Sequence, residues 1–129
     1  MKFLGIIPAR YSSSRFPGKP LAILGGKPVI QHVYERVKNV LTDVYVATDN
    51  VHIYKVVTDF GGKAIMTREE HESGTERASE ALDKIEGKFD VVINIKGDEP
   101  FIQSEQIKIL MSSFADEQTQ IATLGVPLK

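Results

Sequence analysis

The chain has 129 residues, 42% hydrophobic and 26% charged, with a net charge of −1 and no cysteine. That length holds one domain with a real core, and the near-neutral charge excludes a general nucleic-acid or polyanion binder, so any phosphate affinity must be local. The lack of cysteine excludes disulfides and thiolate metal sites, and no apolar run reaches membrane-spanning length. The apolar N-terminus is broken by Pro8 and Arg10 and lacks a small-residue cleavage signal, which points away from a signal peptide and toward a cytoplasmic domain.

Residues 3–7 are apolar and β-prone, and Pro8 is expected to end that strand by removing a ladder donor. The loop that follows is rich in small residues and carries three cations, Arg10, Arg15 and Lys19. A strand opening into such a loop is a common way to hold a phosphate chain, because backbone N–H groups approach the oxygens and the cations neutralise the remaining charge. Taken alone, the stretch also reads as a solvated surface loop. Its spacing matches neither a P-loop nor a dinucleotide fingerprint.

Residues 21–24 form a short apolar piece closed by the turn signal Gly25-Gly26. Pro28 suits a first helical position, and Val29, Ile30, Val33, Tyr34 and Val37 fall on a helical stripe. Residues 44–48 are β-rich. A second apolar helical face, Ile53, Tyr54, Val57 and Phe60, stops at Gly61-Gly62. Residues 63–66 predict a short strand, and a polar loop over 67–73 follows. A third stripe of Ala78, Ala81, Leu82 and Ile85 ends at Gly87. Residues 91–95 are nearly all apolar, as in a strand buried on both faces. A fourth helix with Ile107, Leu110, Met111 and Phe114 has Ser104 as its expected N-cap, and a last strand covers 121–126.

This alternation predicts an α/β fold, an open, mostly parallel sheet with helices on both faces and right-handed crossovers. In such sheets ligands sit outside the carboxyl ends of the strands, which selects 8–19, Thr48-Asp49, 67–77 and 96–100 as one rim. A chain that stops just after an apolar strand has no helix to cover its last crossover. The expectation is a partial protein, truncated after the fifth strand.

Two rim motifs carry chemistry. Gly97-Asp98-Glu99-Pro100 leaves the most hydrophobic strand, and a carboxylate such as Asp98 there can hold Mg²⁺ together with phosphate oxygens, or serve as a polar turn. Ser73 and Glu76 have the S-x-x-E spacing of a capping box, while Gly74 and Thr75 at the helix start can also meet a ligand through free N–H groups. His32, His52 and His71 have no metal-ligand spacing, and Tyr11 and Tyr54 read as packing residues.

The blocks Ile7-Pro8-Ala9-Arg10-Tyr11, Arg15-Phe16-Pro17-Gly18-Lys19-Pro20-Leu21, Ala47-Thr48-Asp49, Met66-Thr67-Arg68, His71-Glu72-Ser73-Gly74-Thr75-Glu76-Arg77, Gly97-Asp98-Glu99-Pro100 and Ala122-Thr123-Leu124 stand together in order. In this the chain resembles the 3-deoxy-manno-octulosonate cytidylyltransferases, which make CMP-Kdo. A weaker likeness is to the sialic-acid cytidylyltransferases. The resemblance implies a Rossmann-like three-layer nucleotidyltransferase fold and a reaction of CTP with the sugar acid Kdo, giving CMP-Kdo and pyrophosphate for lipopolysaccharide biosynthesis. It implies Mg²⁺ as cofactor, CTP and Kdo as partners, no nucleic acid or membrane, and a cytoplasmic homodimer for the full-length protein.

By the same resemblance, Arg10, Lys19 and Asp98 are the catalytic set, with Asp98 on the metal. Pro8, Ala9, Arg10, Lys19, Ser73, Gly74 and Gly97 bind CTP, and Arg15 and Arg77 are candidates for further substrate contact. Lys96 stands where the family commonly shows Gln. Family chains are considerably longer, so residues 1–129 are expected to be the CTP-binding part, without the sugar-acid and dimerisation parts.

Overall fold

Residues 2–11, 18–67, 74–85, 87, 89, 91–95, 97, 103–112 and 120–124 are described by a computed structural model of the chain. After strand β1 (Phe3–Ala9) comes a 3-10 helix (Lys19–Leu21) and a hairpin of β2 (Ile23–Leu24) and β3 (Lys27–Pro28). Then follow α1 (Val29–Lys38), β4 (Asp43–Thr48), α2 (Val51–Asp59), β5 (Ala64–Met66), α3 (Gly74–Lys84), β6 (Val91–Ile95), α4 (Ser104–Ser112) and β7 (Gln120–Leu124). The five longer strands form one parallel sheet in the order β5-β4-β1-β6-β7. This is the predicted α/β architecture, with β1 at its centre.

Period-two alternation along β1 feeds two cores. Ile7 and Ala9 face one side, where Ile30, Val33 and Val37 of α1, Ile53 and Val57 of α2 and Ile107 of α4 join them. Leu4 and Ile6 face the other, with Ala81 of α3 and Ile85 just past its end. Every residue of β6 is buried, as its sequence predicted. Each such Ile or Val removed from water contributes roughly 1.5–3 kcal/mol.

Several expectations shift. The strand β1 does not end at Pro8 but runs on to Ala9. Pro28 is the N-cap of α1 rather than its first helical residue, because it still pairs with Ile23 in the hairpin and holds an extended ψ of 149°. Ser104 is the first residue of α4, not its cap. Tyr54 is 37% exposed and lies off the buried face of α2. Ile107 places α4 on the face of α1, although the sheet grows toward β7 in the direction opposite to its growth through α1. The β6–α4–β7 crossover therefore has the opposite hand from β1–α1–β4, against the right-handed rule. The physical reason is occupancy: α3 already covers β1 and β6 on the other face.

The hairpin is fastened to α1 by polar contacts. His32 Nε2 donates to the Leu24 carbonyl at 2.6 Å, and Lys27 pairs with Glu35 at 2.9 Å. Hydrogen bonds from Gln31 and then Lys27 hold the Glu35 carboxyl below its ordinary pKa. Among the described residues, no helix is long and apolar enough to cross a membrane.

Candidate functional site

The strand order reverses at β1, whose neighbours are β4 on one side and β6 on the other. A sheet of this kind opens a crevice between the strand tips at that point. Pro8 sharpens it. On the β4 side the ladder continues through Pro8↔Ala47 to Ala9↔Thr48, whereas on the β6 side it stops at Ile6↔Asn94. The Pro8 carbonyl accepts from the Gly97 amide at 3.1 Å, so its nitrogen lies on the β6 edge as well, where it has no hydrogen to donate. The predicted loss of a ladder donor thus acts on one edge only.

Gly97 is buried at that tip. A Cβ there would lie 2.7 Å from the Pro8 carbonyl oxygen and 3.0 Å from the Ala9 Cβ. Only glycine lets the chain leaving β6 approach β1 so closely. Pro8, Ala9 and Gly97, three of the expected nucleotide contacts, are therefore assembled at one place.

Beyond β1, Arg10 is exposed and Tyr11 is 44% exposed. The Gly18 amide donates to the Tyr11 carbonyl at 2.6 Å, closing the neck of the loop between them. Gly18 holds φ at +76°, and a Cβ on it would meet the Tyr11 ring at 3.0 Å. The neck sets its two flanking residues, Arg10 and Lys19, at the same base of the loop. Lys19 opens the 3-10 helix, whose Ala22 amide bonds back to the Lys19 carbonyl at 3.0 Å. Arg10 and Lys19, the two cations expected to hold phosphate, thus flank one hydrogen-bonded pair at the tip of β1.

The tips of β4 and β5 carry a polar cluster. The Thr67 amide donates to the Thr48 carbonyl at 2.8 Å, joining the two strands just past β5. Arg77, one turn into α3, is 0% exposed; its Nη1 donates to Thr67 Oγ1, and its Nη2 lies 3.5 Å from Asp49 Oδ2. The expectation of a substrate contact through Arg77 does not match this burial: its guanidinium is turned inward onto protein groups. Thr48-Asp49 and Thr67 had been placed on the rim by strand-tip position, but nothing in their spacing announced the pairing with Arg77. Asn50 was also passed over. Its Oδ1 accepts from the Ile53 amide at 3.0 Å and caps α2, a role signalled by Asn standing just before an apolar stripe.

Arg15, Ser73, Asp98 and the neighbouring Lys96 lie outside the described residues, as does the side chain of Glu76 and with it the expected capping box. Gly74 is the first residue of α3. Among the described residues there is no group of three or more His, Cys, Asp or Glu able to hold a metal. Asp98 directly follows the fixed Gly97 in the chain.

A family model described as Cytidylyltransferase matches residues 4–129. The chain belongs to this cytidylyltransferase family. The 3-deoxy-manno-octulosonate cytidylyltransferase of Bacteroides thetaiotaomicron is 61% identical over 127 residues, which cover 98% of this chain and 51% of the relative. That of Parabacteroides distasonis is 58% identical over 129 residues, or 100% of this chain and 51% of the relative. Among solved structures, CMP:2-keto-3-deoxy-manno-octonic acid synthetase complexed with CTP is similar with a TM-score of 0.85 and 50% identity, over 91% of this chain and 48% of that one. The chain spans about half the length of the curated relatives it matches. Both the fold and the family read from the motifs hold.

Proposed function

We propose that the chain forms the CTP-binding part of a 3-deoxy-manno-octulosonate cytidylyltransferase. The observation that carries this reading is the Gly18–Tyr11 neck, which sets Arg10 and Lys19 at one base beside the β1–β6 crevice. Identity of 61% with a relative of that name supports the choice of substrates.

The reaction transfers the cytidylyl group. The anomeric hydroxyl of Kdo attacks the α-phosphorus of CTP in line, the bond to the β-phosphate oxygen breaks, pyrophosphate leaves, and the hydroxyl proton is released. Chemistry of this kind needs positioning and charge neutralisation more than covalent help. Arg10 and Lys19 hold the phosphates, and the backbone at Pro8, Ala9 and Gly97 lines the crevice. Gly74 and Ser73 help place the nucleotide. A hard, oxygen-seeking cation suits the one carboxylate next to Gly97, and Asp98 would hold Mg²⁺. Bound there, the ion would neutralise charge on the phosphate oxygens. In the whole protein the setting is a cytoplasmic homodimer supplying lipopolysaccharide synthesis.

Calorimetric titration of the chain with CTP in Mg²⁺ tests the binding half, with saturable binding expected. Pyrophosphate release by the full-length protein, offered CTP with Kdo or with sialic acid, tests the rest. Turnover with Kdo is expected; turnover with sialic acid alone would overturn the choice of sugar acid.

A further inference from the structure

We propose that Arg77 is a positioning residue for the nucleotide, fastening the first turn of α3 to the tips of β4 and β5. The proposal rests on the CTP reading, because what the clamp positions is Gly74 and its neighbours at the start of α3.

Burial of Arg77 at 0% exposure means that its charge is placed by its partners, since an unpaired guanidinium in the interior would be strongly unfavourable. Those partners come from two strands: Thr67 follows β5, and Asp49 follows β4. The Thr67 amide on the Thr48 carbonyl joins the same two tips to each other, so strand, strand and helix meet in a closed triangle. A second tie stands at the far end of α3, where Lys84 donates to the Met66 carbonyl at 2.7 Å and pairs with Glu80 at 2.9 Å.

The apolar packing of α3 cannot fix its register by itself. Among the described residues, Ala81 in α3 and Ile85 just past its end are the buried apolar anchors, and burial of such surface is non-directional. A short Ala side chain keys into little. Among the described residues, two cationic contacts of α3 are directional, and Arg77 makes the one next to the rim. One planar group makes both the Nη1 hydrogen bond to Thr67 and the Nη2 ion pair with Asp49, which the single ammonium of lysine does not reproduce. Arg10, Lys19 and the Tyr11–Gly18 neck belong to a different segment, closed by its own backbone hydrogen bond, although α3 packs on β1. On this proposal the clamp acts on the nucleoside side of the ligand, apart from Arg10 and Lys19.

The test compares wild type, Arg77→Met, Arg77→Lys and Asp49→Asn by amide hydrogen exchange and by calorimetry with CTP and with inorganic tripolyphosphate. In Arg77→Met, exchange in the first turn of α3 should rise at least tenfold, while β1 and α1 keep their protection. CTP affinity should fall tenfold or more, while tripolyphosphate affinity stays within twofold. Arg77→Lys and Asp49→Asn should fall in between, and they answer by the same readouts if Arg77→Met does not fold. Unchanged exchange in α3 would overturn the clamp, and a parallel loss of both ligands would show a general structural role instead. If wild type binds no CTP, the CTP reading fails, and the exchange result alone decides the clamp.

Discussion

The amide of Gly97 donates to the carbonyl of Pro8, and that same oxygen is what a side chain at position 97 would strike, at 2.7 Å. The contact is backbone on backbone, so neither partner can turn aside. Gly97→Ala should therefore cost about 1–3 kcal/mol in urea unfolding, the range for overpacking a tight site. It should also weaken CTP binding, because the two strand tips are forced apart. Wild-type stability in this variant would show that the tips have room to spare.

Gly18 and Gly25 offer a controlled comparison. Both hold left-handed φ, +76° and +62°, but a Cβ at Gly25 meets nothing within 4 Å, whereas one at Gly18 meets the Tyr11 ring. Gly25→Ala should lose about 1–2 kcal/mol from conformation alone. Gly18→Ala should lose more, and should reduce CTP affinity while Gly25→Ala leaves it unchanged. Equal stability losses and equal affinities would rule out a closed neck.

Arg10→Ala and Lys19→Ala remove charge from the base of the loop without touching the core, since Arg10 is exposed and Lys19 only half-buried. A hydrogen bond to a charged group contributes about 1.5–3 kcal/mol, so each variant should bind CTP roughly 10- to 150-fold more weakly. Thermal unfolding should not move. Full affinity in both would remove the phosphate assignment.

Asp98→Asn keeps the size of the side chain and removes its charge. The expected result is CTP affinity that no longer responds to Mg²⁺, measured by titration with and without the ion. A Mg²⁺ response equal to that of wild type would mark the carboxylate as a turn residue.

On the opposite flank, Glu35 has its pKa lowered by Gln31 and Lys27. A depressed carboxylate stabilises the fold above its unfolded pKa and loses that contribution as pH falls through the folded value. Glu35→Gln should thus be slightly less stable than wild type near pH 7, by less than about 1 kcal/mol for so exposed a pair. The difference should shrink as the pH is taken below the ordinary carboxylate range, as read by thermal melts at neutral and acid pH.

The sequence made the sheet legible because β1, β4 and β6 are largely apolar runs of five to seven residues separated by helical stripes such as Val29, Ile30, Val33, Tyr34 and Val37, all buried as expected. Arg10 and Lys19 stand out as candidates because loop chemistry and family motif agree on them. The hairpin was not, because two strands of two residues show no periodicity and only Gly25-Gly26 hinted at it. The direction of Arg77 was equally hidden. A motif fixes which residue stands at a position, but burial depends on what packs over it, and here that is Asp49 and Thr67 from distant parts of the chain.

The incomplete seam between β1 and β6 has a consequence of its own. Here one tooth of the zipper is missing because the Pro8 nitrogen is bonded to a ring carbon. No solvent condition can restore that hydrogen. The missing donor is built into the covalent chain and is there before any ligand arrives, while the Gly97 amide still holds the Pro8 carbonyl at 3.1 Å.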